Sequence, residues 1–456
     1  MLTNRPLHPL AAVALATVTA ATAAPASLPA QPAPAGGGFS AERLARIDSV
    51  FQGAVDRGEL AGAVALVLRD GAPVYERAIG WADREAGRRM TPTTLFRIAS
   101  QTKALTSVAV MMLVEEGRLG LSDPVARYLP AFARTSVAVR ADTGRAIVPA
   151  RRAITIRDLL THTSGVSYGT DSVVAPLYAG RGLGPAAGYG WYLADKPVPI
   201  CTTVDQIAAL PFVAQPGERF VYGYSTDILG CLVERVSGVP LDAFFRDRIT
   251  GPLGMRDTRF FIPASERTRL ATVYASAGPP PGGTRAAPVR PAPAGARGQG
   301  DYVDGPRVSF SGGAGLTSTA RDYARFLEML RNGGALGGVR LLGPKTVALM
   351  TTNQTGTLFS SGGEGFGLGF QVLERAGANG RAESVGTFGW GGAYGSTYEV
   401  DPQEGIVLVV LTQQLPNASD ALGRFPMLVY QAFVAPHGAP RGTSGAAPSA
   451  DSRGER

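Results

Sequence analysis

Patterns typical of β-strands occur near the two ends of this chain, and the residues between them are mostly helical in pattern. The segment 61–81 predicts a hairpin, because two apolar runs flank a turn at Asp70-Gly71. Further strands are predicted at 366–373, 384–388, 395–400 and 406–412. If these terminal strands join the hairpin in one sheet, the helical middle is an insertion between two halves of an α/β domain.

Composition divides the chain into four stretches. The expected organisation is a signal peptide (1–26), a flexible linker (27–39), a folded domain (40–435) and a disordered tail (436–456). Within the domain, about 40–100 and 360–435 form the α/β part, and about 104–355 the helical part. The Pro/Gly/Ala/Arg-rich segment 275–300 is expected to be a mobile excursion. A cleaved export signal places the protein in a bacterial periplasm or outside the cell.

Helix-start signals occur in the middle of the chain. Thr155 with Asp158, and Thr319 with Asp322, have the spacing of a capping box, in which two side chains each cap a backbone amide. Gly165 is expected to end the first of these helices, since glycine readily adopts the left-handed conformation found after a helix.

The two cysteines, Cys201 and Cys231, admit two interpretations. In an oxidising compartment they could form a disulfide. Alternatively, Cys231 is a buried free thiol, because it lies in an apolar helical run. Neither has the neighbours expected of a metal site.

The net charge of +8 raises the question of a nucleic-acid partner. The arginines are scattered, and no basic stripe with interleaved aromatic residues is present, so none is expected. No apolar stretch of about 18 or more residues follows the signal, so we expect no membrane span.

A helix with a polar start follows the hairpin. Helical spacing of apolar residues predicts one buried face, at Leu105, Val108, Ala109 and Met112. Ser100 then lies near the helix start, with Lys103 one turn further on. A hydroxyl beside an amine is the minimum for a serine nucleophile whose base is lysine, and the alternative is an ordinary polar helix start. Because nearly all other basic residues are arginine, the lysine is informative: an amine can lose its proton when buried, whereas a guanidinium cannot.

Histidine offers little as a catalytic base. His8 and His437 fall in the signal and the tail, so a Ser-His-Asp triad could use only His162. The segment 165–169 matches the Gly-x-Ser-x-Gly motif around Ser167, but a capped helix precedes it and no later histidine lies in the domain. We expect His162 to hydrogen-bond in the turn after its helix.

Tyrosine is the remaining candidate for a proton relay. Tyr222 and Tyr224 stand just before a predicted helix. A phenol near an ammonium can move towards phenolate and pass a proton to a leaving group. For either residue the alternative is packing with a satisfied hydroxyl.

The motifs together resemble the serine β-lactamase and penicillin-binding-protein superfamily, especially its class C-like branch with the family VIII carboxylesterases. The resemblance spans about 40–434 and includes Ser100-Gln101-Thr102-Lys103, the segment 159–165, Pro216-Gly217, the segment 315–320 and the segment 388–392. It implies a β-lactamase/DD-peptidase-like α+β fold, with an antiparallel sheet flanked by helices and an inserted, mostly helical domain.

By this resemblance, Ser100 is the acylated nucleophile and Lys103 the amine that helps to deprotonate it. Tyr222 corresponds to the catalytic tyrosine, because it lies five residues before the segment 227–230, as the tyrosine of the esterase branch does.

The resemblance also implies an oxyanion hole made by the backbone amides of Ser100 and Ala393. Ala393 follows Trp390-Gly391-Gly392, which would lie on an edge strand beside the substrate. Two such donors aimed at the developing oxyanion are each worth about 3 kcal/mol.

Two departures from the superfamily pattern bear on the substrate. Tyr224 stands where Tyr-x-Asn usually has asparagine, and Trp390-Gly391-Gly392 replaces Lys-Thr-Gly. The replacement removes an anion clamp and supplies an apolar face. We therefore expect an exported serine hydrolase that forms an acyl-enzyme on Ser100, most simply a carboxylesterase for short or moderately apolar acyl esters.

Two alternatives stay open. One is a β-lactamase, D-amino-acid peptidase or acyltransferase of the same fold. The other is a non-catalytic, penicillin-binding-like cell-wall module, motivated by the missing lysine and asparagine. The expected partner is a small-molecule acyl ester or amide, and no metal or cofactor is expected.

Overall fold

A single eight-stranded sheet contains both the early hairpin and the terminal strands. The computed structural model describes residues 36–141, 144–184, 193–276, 288–295, 298–417 and 419–435, which belong to one compact unit that starts at Pro34. The strands in these residues are β1 (Gly62–Arg69), β2 (Ala72–Asp83), β3 (Arg88–Arg89), β4 (Phe96–Arg97), β5 (Ser136–Ala141), β6 (Gly144–Pro149), β7 (Tyr274–Ala275), β8 (Arg290–Pro291), β9 (Thr317–Ser318), β10 (Ala335–Leu336), β11 (Val339–Arg340), β12 (Glu364–Phe366), β13 (Gln371–Leu373), β14 (Phe388–Gly391), β15 (Thr397–Asp401) and β16 (Ile406–Thr412).

The order of strands in the large sheet is β12-β13-β14-β15-β16-β1-β2-β3, and neighbouring strands are antiparallel. The first strand of the chain, β1, therefore lies beside the last, β16, with Ala63 opposite Thr412 and Arg69 opposite Ile406. The predicted joining of the two ends is confirmed, and so is the α+β fold with an antiparallel sheet.

The hairpin turn also follows the prediction. Asp70 and Gly71 both have positive φ, 50° and 78°. Two consecutive residues in the left-handed region form the turn that matches the twist of a two-residue hairpin.

Helices cover both faces of the sheet. The described helices are α1 (Ala41–Asp56), α2 (Thr102–Glu115), α3 (Ile156–Leu160), α4 (Ala175–Ala179), α5 (Ile200–Ala208), α6 (Ser225–Ser237), α7 (Leu241–Phe245), α8 (Ala320–Arg331), α9 (Pro344–Met350) and α10 (Ala421–Ala432). Side chains alternate along β1: Ala63, Ala65 and Val67 pack with α1 and α10, whereas Val64 and Leu66 belong to the core that contains α2 and α8. Burial on both faces explains why β1 and β16 are continuous apolar runs.

The helix that follows Ser100 is more deeply buried than its sequence pattern predicts. Every residue from Thr102 to Leu113 is buried, although the spacing of apolar residues predicts one buried face. The predicted face is buried, as expected, but the other faces are buried as well, because α2 lies inside the helical part with α6 packed against it. A helix enclosed on all sides is apolar all round, and spacing alone does not reveal that.

The predicted helix starts are confirmed, and one predicted helix end is wrong. Thr155 and Asp158 form a reciprocal capping box at α3, and Thr319 accepts a hydrogen bond from the Asp322 amide at α8. The helix α3 ends at Leu160, so Gly165 does not terminate it. Gly165 has φ 85° and leaves no room for a side chain, since a Cβ there would lie 2.1 Å from the Ala214 carbonyl oxygen.

Two strand predictions need correction, and one strand pair was missed. The predicted strand 366–373 is two short strands, β12 and β13, because Gly369 has φ 104° and turns the chain between them. The predicted strand 384–388 begins later, since β14 covers Phe388–Gly391. The hairpin of β5 and β6, in the middle of the chain, was not predicted.

The predicted domain boundaries are only partly covered by the described residues. The predicted signal peptide (1–26) and the predicted disordered tail (436–456) lie outside the described residues. Phe39, assigned above to the linker, is fully buried and its ring packs on Phe433, so the packed part starts before residue 40. The described residues of 275–300 include a short strand pair, β7 with β8, and the buried Val289.

The two cysteines form a disulfide in the structure. Cys201 on α5 is bonded to Cys231 on α6, with 5.1 Å between their Cα atoms. Of the two interpretations above, the structure has the disulfide, and it links the two helices within the helical part.

We expect the Cys201→Ala/Cys231→Ala double variant to be less stable by about 3–4 kcal/mol, because a bond that closes a loop of this length restricts the unfolded chain. Urea unfolding measures the loss, and mass spectrometry after thiol alkylation counts free thiols in the untreated protein. Two alkylated cysteines in the folded protein would contradict the disulfide.

Candidate active site

Ser100 stands at the start of the central helix. It occupies a single 3₁₀ turn, Ala99–Gln101, that leads directly into α2. Ala99 and Gln101 are buried, whereas Ser100 is partly exposed. Ala99 has φ 44°, an unusual conformation for a residue other than glycine. The backbone therefore bends sharply just before the serine, which is partly exposed between two buried neighbours.

Lys103 lies beneath this hydroxyl and is almost completely buried, with 4% of its surface exposed. Its Nζ donates to Ser100 Oγ at 3.2 Å, to the Tyr168 hydroxyl at 3.0 Å and to the Gly313 carbonyl oxygen at 2.7 Å. Three acceptors match the three protons of an ammonium group. The structure thus brings the predicted pair together and adds two further partners.

Tyr222 lies next to this pair, whereas Tyr224 does not. Lys103 Nζ is 4.8 Å from the centre of the Tyr222 ring, and the Tyr222 hydroxyl accepts a hydrogen bond from Trp390 Nε1 at 3.0 Å. Tyr224 is fully buried and accepts from the amide of Gly184. Trp390 is therefore more than the predicted apolar face, since its indole N–H contacts the phenol.

Tyr168 is a residue of this site that sequence reasoning missed. Its hydroxyl accepts from Lys103, and burial, followed by nearby charge at Tyr222 and Asp227, raises the pKa of its phenol well above the usual value. The available signal was the segment 165–169, which was assessed only for Ser167. Ser167 is buried, and its Oγ accepts from the amide of Gly169, so it stabilises the local turn.

A cavity of about 380 Å³ opens above Ser100. Its described lining is Ser100, Tyr168, Tyr222, Gln371, Trp390, Gly391 and Ala393. The predicted residues Ser100, Tyr222, Trp390, Gly391 and Ala393 thus share one cavity. None of the seven lining residues carries a positive charge.

Gly392 explains how the strand end comes close to the serine. A Cβ at this position would lie 2.7 Å from the Ile98 carbonyl oxygen, two residues before Ser100. Only glycine fits such a close approach without a shift of the backbone. The end of β14 therefore packs directly on the turn that carries Ser100, and Ala393 follows at the cavity wall.

His162 lies in the turn after α3, as expected, and hydrogen-bonds there through its backbone: its amide donates to the Leu159 carbonyl at 3.3 Å, and its carbonyl accepts from the Val221 amide at 2.7 Å. The residue is buried with φ 54°, and its ring Nδ1 has no hydrogen-bond partner among the described residues. The ring packs on Tyr222, with 4.7 Å between ring centres. Burial, and secondarily the charge of Lys103, lowers the pKa of His162 to about 3. The uncharged His162 ring therefore packs against Tyr222 as part of the wall behind it.

The described residues offer no group of three or more His, Cys, Asp or Glu side chains arranged for a metal ion. In the same residues, none of the helices combines the length and apolar character needed to cross a bilayer.

A serine hydroxyl bonded to a buried lysine, with a tyrosine alongside and a strand end opposite, is the constellation of a serine hydrolase that works without histidine. The family model described as Beta-lactamase matches residues 47–430, and the chain belongs to this family of serine hydrolases.

The relatives of this chain include an esterase and a putative carboxypeptidase. Protein Rv1367c of Mycobacterium tuberculosis is 37% identical, over 80% of this chain and 88% of its own length. Esterase EstB of Burkholderia gladioli is 36% identical, over 82% and 91%. A putative D-alanyl-D-alanine carboxypeptidase of Escherichia coli is 28% identical, over 88% and 91%.

Among solved structures, EstCE1 is described as a hydrolase with promiscuous acyltransferase activity. It has a TM-score of 0.68 and 31% identity, and the match covers 86% of this chain and 99% of EstCE1. The predicted superfamily membership is confirmed.

We expect Tyr168→Phe and Tyr222→Phe each to lower kcat on an activated ester by about 10²-fold, because each removes a hydroxyl beside the reacting protons. Tyr224→Phe is the matched control, since that hydroxyl lies away from Lys103, and its kcat should stay within about twofold of the unmodified protein. A loss at Tyr224 equal to that at Tyr222 would contradict the assignment.

We expect His162 to make the fold sensitive to acid. In the unfolded chain histidine binds a proton near pH 6.5, whereas in the fold its pKa is about 3. Between these values the unfolded state binds more protons, so stability falls as pH falls. Between pH 7 and pH 4, the free energy of unfolding of the unmodified protein should fall by about 3 kcal/mol more than that of the His162→Asn variant. Urea unfolding at several pH values measures it, and parallel curves would refute the prediction.

Proposed function

We propose that this protein is a carboxylesterase that acts on short or moderately apolar, uncharged acyl esters through an acyl-enzyme on Ser100. The observation that carries the proposal is Trp390. It stands where the superfamily usually places an anion-binding lysine, and it gives the cavity an aromatic wall and an N–H bonded to Tyr222. The 36% identity with Esterase EstB supports the same choice.

The acylation step uses the contacts around Lys103. For acylation, Lys103 first releases one of its three ammonium protons to solvent. The neutral amine then accepts the proton of the Ser100 hydroxyl as Oγ forms a bond to the ester carbonyl carbon. The negative charge then resides on the former carbonyl oxygen, and the amides of Ser100 and Ala393 are proposed to receive it. When the bond to the alcohol oxygen breaks, the proton passes from Lys103 through the Tyr222 hydroxyl to the leaving alcohol.

Deacylation repeats these transfers with water. A water molecule gives its proton to the Lys103–Tyr222 pair as its oxygen attacks the acyl carbon. The bond to Ser100 Oγ breaks, Oγ recovers the proton, and the carboxylic acid leaves. Tyr168, bonded to Lys103, holds the amine in line with Ser100 through the cycle.

We also propose that the protein is exported. The predicted signal peptide supports this proposal, and so does the Cys201–Cys231 disulfide, because disulfides persist in oxidising compartments.

A substrate panel tests the proposed reaction. We expect p-nitrophenyl butyrate to exceed nitrocefin and a D-alanyl-D-alanine peptide in kcat/KM by at least about tenfold, since neither charged substrate finds a cation in the described cavity lining. The Ser100→Ala variant should lose more than about 10³-fold in kcat/KM on the ester. In the unmodified protein, mass spectrometry should locate the acyl group on Ser100.

Ser167→Ala is the matched control, because it removes the serine of the competing Gly-x-Ser-x-Gly motif and should keep full activity. Peptide or nitrocefin preferred over esters would identify a peptidase or β-lactamase. Failure of a fluorophosphonate to label Ser100 would identify a non-catalytic module.

A further inference from the structure

We infer that Asp227 is a positioning residue for Lys103: it fixes the turn whose Gly313 carbonyl accepts the Lys103 proton, and its negative charge sets the pH range in which Ser100 is activated. The inference rests on the proposed function, because it assumes that Lys103 activates Ser100.

Asp227 is hydrogen-bonded through one of its two carboxylate oxygens, Oδ1, whereas its buried Oδ2 has no hydrogen-bond partner among the described residues. It lies on α6, fully buried. Its Oδ1 accepts from the Ser311 hydroxyl at 2.5 Å and from the Gly313 amide at 3.2 Å. The carbonyl of the same Gly313 accepts from Lys103 Nζ at 2.7 Å. One glycine thus connects the carboxylate to the amine through its two backbone groups.

The turn at 311–313 has little freedom to move. A Cβ on Gly313 would lie 2.3 Å from Asp227 Oδ2, and one on Gly312 would lie 3.1 Å from the Gly230 Cα. From the other side, Thr106 on α2 donates its hydroxyl to the Gly312 carbonyl at 2.7 Å. The turn is held between α2 and α6, so a change at Asp227 is transmitted to the Gly313 carbonyl and then to Lys103.

The charge of Asp227 acts on a small group of ionisable neighbours. Tyr168 and His162 face Lys103 from the segment after α3, Tyr222 from the segment before α6, and Asp227 from α6 itself. Burial raises the pKa of Asp227, while the Ser311 hydroxyl and Lys103 act in the opposite direction. Asp227 is the carboxylate of this group, and its charge raises the pKa of Tyr168.

The experiment follows the rate at which a fluorophosphonate labels Ser100 between pH 5 and pH 10, in full-length protein. Asp227→Asn keeps an oxygen acceptor for Ser311 and Gly313 but removes the charge. Because a lost negative charge makes neighbouring protons easier to release, the pH–rate profile should move to lower pH by about one unit.

Ser311→Ala separates the two roles of Asp227. It keeps the charge and removes two hydrogen bonds, the one that Ser311 donates to Asp227 and the one that it accepts from the Ala314 amide. Its labelling should therefore slow by about three- to tenfold with an unshifted profile. Asp227→Ala removes charge and hydrogen bonds together, and should show the shift and a loss of about 10²-fold.

Asp322→Asn is the matched control for a buried aspartate in a purely structural place, since Asp322 accepts from the Asp257 amide. It should lower the melting temperature without moving the profile. An Asp227→Asn profile that coincides with that of the unmodified protein overturns the charge role, and Asp227→Ala labelling at the unmodified rate overturns the positioning role. Absence of labelling in the unmodified protein instead refutes the proposed function.

Discussion

A buried lysine amine is the constraint on which the site depends. Lys103 is 4% exposed, and an ammonium removed from water is costly unless its protons are hydrogen-bonded. Its acceptors come from three parts of the chain: Ser100 on the same turn, Tyr168 after α3, and Gly313 in the turn at 311–313. Satisfying this one group therefore fixes three segments around the serine, which is what a preorganised nucleophile requires.

Close backbone packing supplies the other half of the site. Gly392 allows the end of β14 to lie against the turn that carries Ser100, and Gly312 with Gly313 allows the turn at 311–313 to lie between α2 and α6. The catalytic constellation thus sits where the sheet meets the helical part. Trp390 belongs to the sheet and Tyr222 to the helical part, and the hydrogen bond between them crosses that junction.

Local chemistry predicted several elements correctly. The hairpin turn at Asp70-Gly71, the capping box at Thr155 and the strand β16 each depend on neighbouring residues or on one apolar run. The start of β14 depends on the strands that lie alongside it, so the local pattern misplaced it. The division of 366–373 into two strands depends on the turn at Gly369, which the apolar pattern does not show. The β5–β6 hairpin was missed although its residues alternate, because the surrounding segment was interpreted as helical.

The sequence by itself determined the nucleophile candidate and its lysine, because Ser100 and Lys103 lie on one turn whatever surrounds them. It also determined the family, since each motif is a short run of consecutive residues that can be recognised without the fold. Only the tertiary structure decided the remaining neighbours. Tyr168 and Gly313 are 65 and 210 residues from Lys103. The neutral state of His162 and the contact of Trp390 with Tyr222 arise from burial and from strand placement. No spacing in the chain encodes these contacts, because they exist only once the helical part packs against the sheet.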